Sequence, residues 1–372
     1  MADSREIMLA EKIVTYSCEV KPGEKVWIDY QGDSTREMAC ELVRQVYKAG
    51  GIPFVNHIDM KVQHELLLGC TQEQMTILGQ TERSLMEQMD CYIAIRGVDN
   101  SAEYSDIPGE KMEINQKYHY APVHRDIRVP KTRWLVTRYP SDSMAQSAHM
   151  PLNKLKDIYF KATTIDVAKL SAAQEKLCDL MSKTDRVHIV GPGTDLEFSI
   201  KGQQCSYDTG KRNLPCGETG TAPILSTLNG VITYTLPAVE DGFVFQDIRF
   251  EIEKGTIIKA TCNDNKRINR ILDTDEGARR IGEFSIGTNP YIEEPFLDTL
   301  FDEKMAGTFH LTPGCAYDFA DNGNRSAIHW DLVCSQKPEH GGGEIWFDDV
   351  LIRKDGEFVL PELQALNHDA WF

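Results

Sequence analysis

Four segments in the second half of the chain concentrate side chains able to hold divalent metal ions. The first runs Asn213-Leu214-Pro215-Cys216-Gly217-Glu218 and on to Thr221-Ala222-Pro223. The second is Gly282-Glu283, followed by Gly287-Thr288-Asn289-Pro290. The third is Asp302-Glu303-Lys304, then Gly307, Thr308, His310 and, further on, Tyr317. The fourth is Ile328-His329-Trp330-Asp331-Leu332. Its apolar flanks suit a strand, and on a strand residues i and i+2 share a face. His329 and Asp331 then present an imidazole and a carboxylate in the same direction. Glu218, Glu283 and His310 supply three more donors. Two imidazoles, two carboxylates and a bridging carboxylate suffice for a pair of divalent ions. Each segment alone is weak, because an isolated His-x-Asp is more often structural; the weight lies in all four together.

Other motifs carry less. Gly191-Pro192-Gly193-Thr194-Asp195 follows an apolar run as a phosphate loop would, but it lacks the Gly-x-Gly-x-x-Gly pattern and the Walker lysine, so a β-turn is expected. No His-Glu-x-x-His occurs, and Ser285 in Gly-Glu-Phe-Ser-Ile-Gly lacks the spacing of a nucleophile elbow. His119 and His124 are read as loop or core histidines, and Asp318 and Asp321 as a solvated loop.

The elements that must position these residues differ between the two halves. Val26 to Tyr30 is an apolar run suited to a buried strand. Ser34 and Glu37 stand in capping-box spacing. Met38, Leu42, Val43, Val46 and Tyr47 recur at helical spacing and predict one buried face. Gly50-Gly51 ends that helix, and Ile52 to Val55 starts the next strand, completing a βαβ unit with a parallel pair. Cys91 to Ile95 and Trp134 to Thr137 read as further strands. Residues 140–165 read as mixed and polar, broken by Pro140 and Pro151, with a helix following from about Ser171 to Ser182. Beyond it, Val187–Val190, Leu196–Ile200, Gly230–Thr235 and Ile257–Thr261 are short β-type runs separated by turn residues. The expectation is an N-terminal α/β domain with parallel strands over 1–165. A C-terminal mixed α+β domain over 166–372, rich in antiparallel strands, then carries the metal site.

Composition narrows the partners. The chain of 372 residues exceeds one ordinary core. Its 40 basic and 57 acidic residues give a formal charge of −17, which disfavours nucleic acid and anionic membranes. The residues from Met1 to Glu6 lack the basic start and apolar stretch of an export signal, and no segment is long and apolar enough to span a bilayer. The ten cysteines include no Cys-x-x-Cys pair. Together these features lead to the expectation of a cytoplasmic protein with reduced thiols.

The four segments resemble the thermophilic aminopeptidase family, also called the aminopeptidase T or peptidase family M29 group. The likeness extends to Lys21-Pro22-Gly23-Glu24-Lys25-Val26 before the first strand and to the Gly193-Thr194-Asp195-Leu196 turn. The resemblance implies a two-metal exopeptidase that removes N-terminal residues from peptides. It implies Glu218, Glu283, His310, His329 and Asp331 as metal ligands, Glu303 as a further ligand of lower rank, and Tyr317 as the catalytic tyrosine. It also implies two zinc, cobalt or manganese ions, a peptide or small amide substrate, and a homodimer. In that mechanism Glu218 or Glu283 accepts the proton of water and Tyr317 hydrogen-bonds the developing oxyanion. Three features depart from the family pattern. Thr219-Gly220 stands in place of a larger apolar pair, Thr312-Pro313 interrupts a stretch of small apolar residues, and the link from His310 to His329 is short. A second reading takes His310, His329 and Asp331 as a two-histidine, one-carboxylate set for a single Fe(II). Ring-opening dioxygenases acting on dihydroxypyridines resemble the same superfamily. Another metal-dependent amide hydrolase and a metal-stabilised binding protein are the remaining alternatives.

Overall fold

The computed structural model describes residues 3–240 and 242–372. The chain divides into two compact units, one from the N-terminus to Thr164 together with Gly210–Leu214, the other Ile165–Thr209 with Pro215–Phe372.

The first unit is built on a five-stranded parallel sheet. Its order is Ile52–Ile58, Lys25–Gln31, Cys91–Arg96, Arg133–Arg138 and Asn213–Leu214. Val26, Ile28, Ile93, Ile95 and Leu135 are fully buried in its centre, as continuous apolar strands require when both faces are covered. The helix Arg36–Lys48 buries Met38, Ala39, Leu42 and Val46. Tyr47, expected on that face, is exposed, because it lies on the far side of the helix from Leu42 and Val46. The capping box expected at Ser34 and Glu37 does not form. A 3-10 turn over Asp33–Thr35 leads into the helix instead, with the Thr35 hydroxyl donating to the Gly32 carbonyl. A capping box does form at the first helix, Ser4–Lys12, between Asp3 and Glu6. Residues 140–165 are largely helical: Ser141 caps Asp142–Ser147, and Pro151 precedes Leu152–Thr163, which buries Leu155, Tyr159 and Phe160. Pro151 thus stands at the N-cap, just before the helix, where its missing N–H removes no intrahelical hydrogen bond.

The second unit begins with the helix Val167–Met181, capped by Asp166 and burying Leu170, Leu177 and Met181. Two sheets follow. The larger is eight-stranded and antiparallel, and the Pro192-Gly193 turn joins its strands Arg186–Gly191 and Thr194–Ser199. The smaller has five antiparallel strands in the order Val333–Ser335, Thr308–Pro313, Ile281–Gly287, Glu218–Thr221 and Ser206–Tyr207. Alternation along its strands sends Phe284, Ile286, Phe309 and Leu311 to one face, all fully buried. Phe198 of the large sheet meets Phe284 edge to face at 5.1 Å, so this apolar face forms the interior between the sheets. The opposite face carries the polar residues. Among the described residues no helix is long and apolar enough to cross a membrane.

Candidate metal centre

The polar face of the small sheet follows from register. Ser285 stands opposite Gly220 on one side and His310 on the other, and Glu283 stands opposite Thr312. A register irregularity between Ile281 and Glu283 falls at Gly282, at the start of this segment. Since residues two apart share a face, Glu218 and Gly220, Glu283 and Ser285, and His310 and Thr312 all point the same way. Ile328–Leu332 does not form the regular strand expected of it. His329 makes one isolated bridge to Gly314, and strand structure begins only at Val333. His329 and Asp331 nevertheless converge, with His329 Nε2 3.2 Å from Asp331 Oδ1.

Two groups of potential ligands result, each with its donor atoms within 4.8 Å of one another: Glu218, Glu283 and His310, and Glu283, His329 and Asp331. Glu283 belongs to both. Its Oε1 lies 3.6 Å from His310 Nε2 and its Oε2 lies 3.2 Å from His329 Nε2. Glu218 Oε2 lies 3.5 Å from His310 Nε2. Glu303 falls outside both groups, its Oε1 accepting from Lys304 Nζ at 2.6 Å. Tyr317 stands beside the second group, its ring 4.6 Å from that of His329 and stacked on Phe319 at 5.2 Å.

A layer of hydrogen bonds orients these side chains. Ser285 Oγ donates to Glu283 Oε1 at 2.7 Å, and Thr312 Oγ1 donates to Asp331 Oδ1 at 2.6 Å. His329 Nδ1 lies 2.7 Å from the Cys315 carbonyl, which can only accept, so the hydrogen sits on Nδ1. Nε2 is then aimed at the carboxylates. Lys304, 1% exposed, donates to Glu218 Oε1 at 2.5 Å and to Glu303, with Asp208 at 4.0 Å. Sequence reasoning named Lys304 only as part of the Asp302-Glu303-Lys304 segment, with no role, and missed the partner roles of Ser285 and Thr312. The sequence offers a signal only for Thr312, as a departure from the family pattern; a lysine beside a glutamate looks like any solvated pair until its burial is known.

The cluster holds five carboxylates, Glu218, Glu283, Glu303, Asp331 and Asp208, against one ammonium, and its electrostatics follow. Burial lowers the His310 pKa, but Glu283, Glu218 and Asp331 outweigh burial and raise it to about 9. Burial likewise opposes protonation of His329, yet Asp331 and Glu283 raise it to about 12. Glu283 is pulled down to about 2, burial being overcome by the two imidazoles, and Asp331 is also lowered, mainly by His329 against burial. Burial, with Glu218 and Asp331, holds Glu303 above the usual carboxylate range. Burial and the carboxylates of Glu283, Asp331, Glu218 and Glu303 push the Tyr317 phenol up; with the residue 43% exposed, the carboxylates are the durable part of that shift. Tyr317 therefore remains a donor.

The donor set fits divalent cations. Carboxylates and imidazoles are the ligands that zinc, cobalt and manganese take. His329 Nε2 is buried yet makes no well-directed hydrogen bond to either carboxylate beside it. His310 and His329 fall in different donor groups, so the single-iron set of His310, His329 and Asp331 is not one cluster. His119, bonded to Asn115 and Glu82, and His124, packed on Tyr92 and Tyr120, lie in the first unit and belong to neither donor group.

Comparison with known proteins agrees with this chemistry. Aminopeptidase T of Thermus thermophilus is 29% identical over 285 residues, covering 65% of this chain and 69% of its own. The solved structure of wild-type AmpT from Thermus thermophilus superposes with a TM-score of 0.81 at 24% identity, over 96% of this chain and 100% of that one, and shows the same fold. The structure of 2,5-dihydroxypyridine dioxygenase from Pseudomonas putida shares the fold more distantly, with a TM-score of 0.60 at 12% identity over 98% and 99% of the two chains. The model of the thermophilic metalloprotease (M29) family matches residues 3–358, and the chain accordingly belongs to that family of metal-dependent hydrolases.

Proposed function

We propose that this protein is an aminopeptidase that removes N-terminal residues from peptides with two divalent cations, zinc, cobalt or manganese. Glu218, Glu283 and His310 would hold one, and Glu283, His329 and Asp331 the other. The observation that carries this reading is Glu283. Each of its carboxylate oxygens faces a different imidazole, the arrangement a bridging ligand needs. Two such cations lower the pKa of a coordinated water and polarise a scissile carbonyl.

The remaining work falls to the chain's own side chains. Glu283, with each oxygen turned to a different imidazole, would serve both cations, and the proton of water would pass to a carboxylate of the site, Glu218 being the more open of the two glutamates. Lys304 occupies Glu218 Oε1, which leaves Oε2, 3.5 Å from His310 Nε2, as the oxygen that would hold the cation. Ser285, Thr312 and the Cys315 carbonyl hold Glu283, Asp331 and His329 in fixed orientations. Tyr317 donates a hydrogen bond to the developing oxyanion. The acidic surroundings favour a substrate with a free N-terminal ammonium, whose position sets the register of the scissile bond. The relatives named aminopeptidases support a peptide substrate. The homodimer implied by the resemblance belongs to the same proposal, and sedimentation equilibrium measures it.

Unblocked short peptides or aminoacyl-anilides should be cleaved with zinc, cobalt or manganese, equally well without oxygen. Their N-acetylated counterparts should not be cleaved. Failure to cleave any peptide, together with oxygen-dependent turnover of a hydroxylated pyridine, would overturn the assignment.

A further inference from the structure

We propose that the two donor groups load unequally, with Glu283, His329 and Asp331 taking a divalent cation first and tightly. Glu218, Glu283 and His310 take the second weakly, so that available metal regulates the site, and Lys304 is the positioning residue that sets the difference. The inference rests on the two-cation reading above.

Three observations point the same way. Asp331 accepts from the neutral hydroxyl of Thr312, which orients the carboxylate while leaving its charge in place. Glu218 instead shares its charge with the Lys304 ammonium, so it offers less to a second cation. Lys304 is locked where it is: it is fully buried, and Glu303 and Asp208 face it besides Glu218. Glu303 balances part of the ammonium's charge, yet its carboxylate bonds the ammonium directly and lies outside the donor group. The imidazoles differ as well. His329 Nδ1 donates to the Cys315 carbonyl, which fixes the ring and raises the basicity of Nε2. His310 Nδ1 is buried without a hydrogen-bond partner, so nothing polarises that ring.

The test is a titration of metal-free protein, without substrate, by Co²⁺ absorption and Zn²⁺ calorimetry. Wild type should show two steps whose dissociation constants differ by about tenfold or more. Thr312→Val should weaken the first step by about 10–100-fold, the usual effect of removing a ligand's supporting bond, and Thr312→Ser should restore it. Glu218→Gln should leave the first step intact and weaken the second. Should Thr312→Val fail to fold, Glu218→Gln alone decides. Two equal steps, or loss of the tight step in Glu218→Gln, overturn the inference. Because no substrate is present, the outcomes separate: unequal steps without peptide cleavage overturn the aminopeptidase reading alone. Equal steps with cleavage overturn this inference alone, and no bound metal overturns both.

Discussion

Gly220→Ala tests whether the small sheet is built around Glu283. Gly220 and Ser285 face each other across two strands. A methyl group at position 220 would lie 1.6 Å from Ser285 Oγ, 2.7 Å from Ser285 Cβ and 3.2 Å from the Phe284 carbonyl. Ser285 must rotate its hydroxyl away, and Glu283 Oε1 then loses its donor. A hydrogen bond to a charged group contributes about 1.5–3 kcal/mol. The remaining overlap with Ser285 Cβ costs about 1–3 kcal/mol, as overpacking does. The variant should therefore lose about 2.5–6 kcal/mol in urea unfolding of metal-free protein, and its retained metal should fall. The same substitution in a Ser285→Ala background meets only the Cβ overlap. It should cost about 1–3 kcal/mol there, leaving a coupling of about 1.5–3 kcal/mol in the double-mutant cycle. Equal costs in the two backgrounds would refute the proposed contact, and an unchanged Gly220→Ala variant would refute the packing argument altogether.

Three further outcomes are expected. His329→Ala or Asp331→Ala should strip most bound metal while circular dichroism stays native; full occupancy measured by atomic emission would remove both from the site. Tyr317→Phe should lower kcat by about 10²–10³-fold, the effect of losing one oxyanion donor, with metal content unchanged, and an unaltered kcat would exclude Tyr317 from the mechanism. Burial first, then Arg128, Arg96 and His119, depress the His124 pKa from 6.5 to about 3, so the folded state holds this imidazole neutral. The unfolded chain binds the extra proton between those values. Stability from His124 is thus complete above about pH 6.5 and falls on acidification toward pH 3, by at most about 1.4 kcal/mol per unit. His124→Phe, which keeps the packing on Tyr92 and Tyr120, should unfold with less pH dependence than wild type between pH 6.5 and 4; identical slopes would contradict this.

The central strands of the parallel sheet were legible in the sequence because Lys25–Gln31 and Cys91–Arg96 carry apolar runs, which burial on both faces demands. The helix Arg36–Lys48 was legible through its spacing, although Tyr47 shows that an apolar residue one position off the face reaches solvent. The first helix carried its own signal in the Asp3 and Glu6 capping box, and Leu155, Tyr159 and Phe160 spelled a buried face behind Pro151; a reading that took proline only as a breaker passed over that helix. The return of Gly210–Leu214 to the first unit was not legible, since a two-residue strand has no periodicity to detect.

The chemistry divides in the same way. Residue types and local motifs were enough to name the candidate donors, because imidazoles and carboxylates are what divalent ions require. Antiparallel register between strands distant in sequence set Glu283 beside His310, and the irregular segment bridged at Gly314 brought His329 to its other side. Tertiary structure also decided that Glu303 turns to Lys304, and that Ser285 and Thr312 serve the carboxylates. Those roles depend on burial and direction, and a linear string of residue types contains neither.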